Sequence, residues 1–328
     1  MRVRIYWLCA GLAACVPASA HHSVAPFDRS SMQELEGEVA AISWRNPHVT
    51  LSLNVMDSAG RTEQWALESD SANAAARRGY DRDTLRVGDR IRVAGWPSTL
   101  GRRELFVINV LHDGVETILT DLDAPLRWTE APSAPAATAD AALERSLFRV
   151  WAPGGLYRPR EEIRYTPAAQ VAREAWNPLV DMLALKCIAP GMPNANMNPY
   201  PIEFVDEGSR IRLNIEEWEA RRVIDMTSAE IPADAPGSLL GYSVGRWEGD
   251  TLVIETERVD FPYLDDEGTP MSDQAHITER YTVSADGRRL DYTVSVTDPP
   301  NIVGTAVWDA FWTWVPGTVI RPFECEAE

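Results

Sequence analysis

The residues best suited to chemistry in this chain are few and far apart. There are five histidines. Two of them stand together in Ala18-Ser19-Ala20-His21-His22-Ser23. Cleavage after Ala20 would make His21 a new amino terminus. Its amine and imidazole could then chelate copper, with His48 of Trp44-Arg45-Asn46-Pro47-His48 as third nitrogen and His22 or His112 as further candidates. The alternative is that His21 and His22 begin a solvated arm and His48 caps a strand.

The carboxylates are harder to gather. In His276-Ile277-Thr278-Glu279-Arg280 the two ligand-type residues would share a helix face. The surrounding pattern is that of a strand, which sends His276 and Glu279 to opposite faces. Glu248 and Asp250 flank Gly249 in a turn, where carboxylates are solvated or bond the turn backbone. Asp260, Asp265, Asp266 and Glu267 surround Tyr263 without the spacing of a calcium loop, and read as a solvated acidic loop. Glu216, Glu248, His276 and Glu279 are thus the candidates for an acid–base pair of hydrolase or isomerase type in a barrel mouth. Aromatic residues are denser: Trp218, Trp247, Trp308, Trp312 and Trp314 crowd the second half. The even spacing of the last three puts them on one strand face, either as core or as the wall of a pocket for an apolar or sugar-like ligand. Gly-x-Ser-x-Gly, a phosphate-cradling glycine loop and Cys-x-x-Cys are all absent, which argues against serine-nucleophile, nucleotide and dithiol chemistry.

The whole chain sets the context. A basic start, an apolar run over residues 5–16 and Ala18-Ser19-Ala20 form a secretory leader over residues 1–20, too short to span a bilayer. Leu12-Ala13-Ala14-Cys15 offers a rival reading as a lipidation site, which would leave His21 internal and tether the protein to the outer membrane. Export to the periplasm is the first reading, and membrane association follows only from lipidation at Cys15. The formal charge of −18 disfavours nucleic acid and anionic lipid, leaving a small molecule or a periplasmic protein as the expected partner. With Cys9 and Cys15 in the leader, Cys187 and Cys325 remain, and in an oxidising compartment they are most economically a disulfide.

Two domains are expected, at residues 21–120 and 146–328, joined by an Ala/Pro-rich linker over 121–145. The first reads as five short strands with a helix over 71–78 capped by Ser71, a pattern that fits a small OB-like Greek-key barrel. The second has short helices over 142–150 and 167–175. It then runs through strands from residue 201, with hairpins turning at Glu248-Gly249-Asp250 and Ala285-Asp286-Gly287 and a closing strand over 319–324. A mainly β, lipocalin-like antiparallel meander closed into a barrel is the first choice there, an open curved sheet the second.

The segments "AHHS", "ISWRNPHVTLSLNV" and "LESDSANAAARRGYDRDTLRVGDRIRVAGWP" together resemble the secreted bacterial family known as domain of unknown function 6152. "CIAPGMPNANMNPYPIEF", "GYSVGRWEGDTLVIET", "HITERYTVSADGRRLDYTVSVTDP" and the terminal "PFECE" resemble the domain often fused to it. The resemblance implies a secreted two-domain β protein and brings no functional residues with it. The expected function is a periplasmic binding protein with its ligand in the second barrel. A copper protein is the alternative from another class, and a hydrolase or isomerase the third.

Overall fold

The computed structural model describes residues 27–120, 124–130, 146–198 and 200–325. The expected leader over residues 1–20, with Cys9 and Cys15, and the candidate ligands His21 and His22 lie outside them. Among the described residues no helix is long and apolar enough to cross a membrane.

The first domain contains strands β1 (Gln33–Ser43), β2 (Thr50–Met56), β3 (Thr62–Glu68), β4 (Arg90–Pro97), β5 (Glu104–His112) and β6 (Val115–Ile118). β1 pairs with both β2 and β4, and a parallel pairing of β3 with β5 closes the ring in the OB manner. Gly37 sits where β1 is paired on both sides; a Cβ there would stand 2.3 Å from the Asn54 carbonyl oxygen. Val39, Leu53, Leu67, Val93 and Leu105 fill the interior. Helix α1 (Ala72–Arg77) follows β3, its N-cap Ser71 Oγ accepting the Ala74 N–H, as the sequence predicts. β6 is an extra strand. Its Glu116 carboxylate accepts the backbone N–H groups of Arg127, Trp128 and Thr129 at 2.6–2.8 Å. Residues 124–130, which composition assigns to the linker, are thereby fastened to the first barrel.

The second domain is a closed barrel of nine strands: β7 (Val150–Pro159), β8 (Ile202–Asp206), β9 (Arg210–Ile215), β10 (Ala220–Asp225), β11 (Tyr242–Glu248), β12 (Thr251–Glu257), β13 (His276–Val283), β14 (Arg289–Thr297) and β15 (Thr305–Thr313). All pairings are antiparallel except β10 with β11, so the barrel is not a pure meander. Helix α2 (Pro167–Ala175) stands where the sequence places it, capped by Thr166. The helix expected over 142–150 does not appear in its described part: residues 146–149 are non-helical and Val150 opens β7. Pro153, Gly154 and Gly155 hide that strand from a pattern search. The glycines let β7 lie against the Phe311 ring, which a Cβ at 154 would meet at 2.5 Å. The strand expected over 319–324 is irregular chain instead.

The inside of this barrel is occupied by its own side chains. Leu290, Tyr292, Val294 and Val296 point inward from β14, and Trp308 and Trp312 from β15. At the centre lie two charged groups with almost no exposure, Arg222 of β10 and Glu279 of β13. Arg222 donates to Glu279 Oε2, to Thr256 Oγ1 at 2.6 Å and to Ser243 Oγ at 3.0 Å. Glu279 Oε1 accepts the hydroxyls of Tyr292 at 2.8 Å and Tyr281 at 3.2 Å. A carboxylate this deep is tolerated only because each oxygen is paired.

The barrels meet along a seam that the chain end covers. Glu216, fully buried, accepts Arg77 of α1 at 2.5 Å, Asn73 Nδ2 at 3.2 Å and the Arg321 backbone N–H at 2.9 Å. Asn73 also donates to the Pro322 carbonyl. Cys325 is bonded to Cys187 with Cα atoms 5.9 Å apart, and it forms a backbone bridge to Asn46 of the first barrel. The disulfide expected from cysteine count is present. It straps the tail over both domains, where the sequence reading has it hold a barrel edge.

Two stability outcomes follow from these contacts. Arg222→Met strands the Glu279 charge and is expected to cost about 3–5 kcal/mol in denaturant unfolding, while the double variant with Glu279→Leu recovers most of that loss. Replacing both Cys187 and Cys325 with Ala is expected to cost roughly 2–5 kcal/mol. It should also expose residues 314–325 to limited proteolysis, read by mass spectrometry of the fragments.

Candidate functional site

A cavity of about 820 Å³ opens between the first barrel and the mouth of the second. Its first-domain wall includes Pro47, His48 and Trp96; its second-domain wall includes Trp176, Trp218 and Tyr263. One short segment organises the polar groups that face it. Residues 190–198 run Pro-Gly-Met-Pro-Asn-Ala-Asn-Met-Asn, with a single 3-10 turn at Asn194–Asn196. Gly191 lets this segment pass against Phe261, whose Cβ lies 2.4 Å from where a side chain would begin.

The three alternate asparagines do three different jobs. Asn194 Nδ2 donates to Asp266 Oδ1 at 2.7 Å. Asn198 Nδ2 lies 2.9 Å from both oxygens of Glu217. Asn196 points the other way, into the barrel, donating to the Tyr281 hydroxyl at 2.6 Å. Its carbonyl accepts the hydroxyl of Tyr157, which lines the cavity. The segment is thus anchored to the buried Glu279 cluster while it presents two carboxyl groups outward.

Those two groups differ from ordinary acids. Burial, reinforced by the nearby Asp266 charge, pushes the Glu217 carboxyl up to about 8 against the downward pull of Asn198 and Trp218. Burial also raises Asp266, to about 6, helped by the Asp265 and Glu267 charges and opposed by Asn194. Asp266 retains some exposure to the cavity and is enclosed by protein on its other sides. Near neutral pH the pair therefore holds one proton on Glu217 and a charge on Asp266.

Local backbone strain presents Glu217. Trp218 and Glu219, which follow it between β9 and β10, both have positive φ, at 58° and 51°. Two consecutive non-glycine residues in the left-handed region cost on the order of 1–2 kcal/mol each. Packing holds them there: the Trp218 ring lies 5.1 Å from Phe323 of the strap, and Phe323 also meets Tyr200 edge-on at 5.5 Å. On the opposite wall the Trp176 indole stacks edge-on with Tyr263, and its Nε1 is buried with no hydrogen-bond partner.

The acidic loop corrects the sequence reading. Asp260 and Glu267 are exposed as expected, but the loop is also clamped: Arg173 of α2 donates to Asp265, Glu267 and Thr269 while stacking over Tyr165. Among the described residues no group of three or more His, Cys, Asp or Glu is placed to hold a metal ion. His48 lies in the cavity wall with Nδ1 2.8 Å from the Ser69 carbonyl and 3.1 Å from Glu68, so Nδ1 carries a proton. His112 stands beside Asp89 and Asp113 at the β5–β6 turn. His21 and His22, the expected copper ligands, lie outside the described residues.

The four acid–base candidates are not brought together. Glu216 is the seam clasp, and Glu279 is sealed inside the barrel. Glu248 pairs with Arg246 and Arg280 on the outer surface. His276 lies on the outside of β13 between Glu255 and Glu257, opposite in facing to Glu279 as strand alternation requires. Of the five tryptophans, Trp218 and Trp308 line the cavity and Trp312 is core. Trp314 packs at the barrel edge under Arg149, and Trp247 is nearly half exposed against Phe148. Glu217 and the three asparagines are functional candidates that motif searching misses, and Asp266 is read from sequence only as part of a solvated acidic loop. The mark of the asparagines is their Asn-x-Asn-x-Asn spacing inside a stretch rich in Pro and Met.

The fold and cavity define a class: a two-barrel β protein with a polar-aromatic cavity at the domain junction. Residues 10–106 match the family described as a family of unknown function (DUF6152), which is the resemblance read from the sequence and reaches the start of β5. No curated protein matches the chain.

The shifted carboxyls carry a pH signature. The folded protein holds protons on Glu217 and Asp266 at pH values where the unfolded chain, titrating near 4.5 and 3.8, has released them. This contribution to stability is complete below about pH 4 and is lost as pH rises through about 6 and then about 8. Glu217→Gln should remove the upper part of that decline, on the order of 2–4 kcal/mol, in urea unfolding measured from acid to mildly alkaline pH. An unchanged slope would contradict the assignment.

Proposed function

We propose that this chain is an exported binding protein whose ligand is a sugar-like ring molecule, held in the cavity between the barrels. The observation that carries the reading is the cavity itself, with flat aromatic walls from both domains and polar side chains, Glu217 and Asp266 among them, in its lining. The unpartnered Trp176 Nε1 calls for an acceptor, and so does a carboxyl that keeps its proton at neutral pH. Hydroxyl and ether oxygens on a ring supply such acceptors, and the ring faces suit Trp176, Trp218 and Tyr263. A wholly apolar ligand would leave these groups unsatisfied. The second barrel contributes most of the wall, but its interior is filled, so the ligand is placed at its mouth. The leader, the acidic surface and the disulfide support a periplasmic location.

Indole fluorescence tests this reading. Titration of the mature protein with mono- and disaccharides and aryl glycosides should give a saturable change for at least one of them. Trp176→Phe keeps the ring and removes the N–H, and should weaken that binding roughly 5-fold, as expected for one hydrogen bond. No saturable change with any of the sugars would overturn the proposal.

A further inference from the structure

The cavity holds more than binding requires. A site that only recognised hydroxyl groups would be served by amides and neutral hydroxyls. Here two carboxyl groups on different elements are turned to the same space, Glu217 from the strained link between β9 and β10 and Asp266 from the loop clamped by Arg173. Each is gripped by an asparagine of one segment, at 2.9 Å and 2.7 Å. That segment is tied through Asn196 and Tyr281 to the buried Glu279 cluster of the barrel. Trp176, whose indole N–H is buried without a hydrogen-bond partner, lines the same cavity. These are the parts of a proton-transfer site: two acids in unequal environments, a common support that holds both, and an aromatic platform for the substrate.

We propose that Glu217 and Asp266 are an acid–base pair that hydrolyses the glycosidic bond of the ligand, a reading that rests on the sugar-binding proposal. The Glu217 carboxyl gives its proton to the glycosidic oxygen as the bond from that oxygen to the anomeric carbon breaks. The Asp266 carboxylate takes a proton from a water molecule whose oxygen bonds to the anomeric carbon. One glycoside and one water become a free sugar and an alcohol. Glu217 is left ionised and Asp266 protonated, and the proton returns from Asp266 to Glu217 through solvent. Water is the only co-reactant.

The surrounding charges are compatible with this division. Asp265 and Glu267 are both paired to Arg173, and the Tyr200 phenol is held far above its ordinary range by burial and by Glu217, so it stays neutral. His48 faces the site from the first barrel, with Asp70 also in that wall. The acid of the pair is Glu217 because it is the more deeply enclosed. Asp266, with its residual exposure to the cavity, is the one that water can reach.

The test uses the full mature chain and a panel of 4-methylumbelliferyl glycosides, following released fluorophore and, separately, indole fluorescence for binding. Turnover of at least one glycoside is expected, with a bell-shaped pH profile highest between about 6 and about 8. Glu217→Gln and Asp266→Asn should each lower that turnover roughly 100- to 10,000-fold while binding of the same glycoside is retained. Glycosides that bind but are not cleaved would overturn the catalytic proposal and leave the binding reading standing. Cleavage at the wild-type rate by Glu217→Gln would overturn the assignment of the acid. No binding by any member of the panel would overturn both.

Discussion

The Glu279 carboxylate, enclosed at the centre of the second barrel, must be neutralised on both oxygens, and much of the molecule is arranged around that demand. Arg222 meets one oxygen and the Tyr281 and Tyr292 hydroxyls meet the other. The pairing fixes β10 against β13 across the barrel interior, although the two strands are not neighbours in the sheet. Tyr281 in turn takes the Asn196 amide, so an ionic contact in the core sets the position of a segment at the barrel mouth. Hydrophobic packing supplies the bulk of the core. It is the directional bonds of this cluster that settle where the mouth segment lies, since apolar contacts tolerate sliding and hydrogen bonds do not.

From that anchor the site is built by alternation. In the 3-10 turn at Asn194–Asn196, with three residues per turn, residues two apart diverge, and the chain bends on beyond it, so Asn194 and Asn198 reach outward to Asp266 and Glu217 while Asn196 reaches in. The second support comes from the chain end. Phe323 presses on Trp218 and Tyr200, and the backbone strain at Trp218 and Glu219 persists because this packing and the Cys187–Cys325 bond hold the tail over it. Glu216 and Glu217, adjacent in sequence, take opposite roles: the first is saturated by Arg77, Asn73 and the Arg321 N–H and joins the domains, while the second keeps its proton and faces the cavity.

Several parts of this arrangement are legible in the chain alone. The alternation of Leu290, Tyr292, Val294 and Val296 marks an inward strand face, and the turn residues around Gly249 and Gly287 mark hairpins that the structure contains. Ser71 caps the helix it precedes. Strand β7 escapes notice because its Pro and paired glycines, which signal a loop locally, serve a close approach to Phe311 that lies far away in sequence. Residues 124–130 read as linker because nothing in their composition reveals that three of their amides will meet Glu116.

What the sequence determines by itself is whatever depends on neighbours within a few residues or on totals: the mainly β class, the two barrels, the Ser71 cap, and the pairing of Cys187 with Cys325. Only the tertiary structure decides which acids are unusual. A carboxyl group's proton affinity depends on what surrounds it in space, and as letters residues 216, 217 and 279 are all Glu and residue 266 is an ordinary Asp. Folding places one at a seam among cations, one in a barrel beside an arginine, and two in an enclosed cavity with amide donors. Desolvation and the charges nearby then separate their behaviour, and neither can be read before the chain has closed around them.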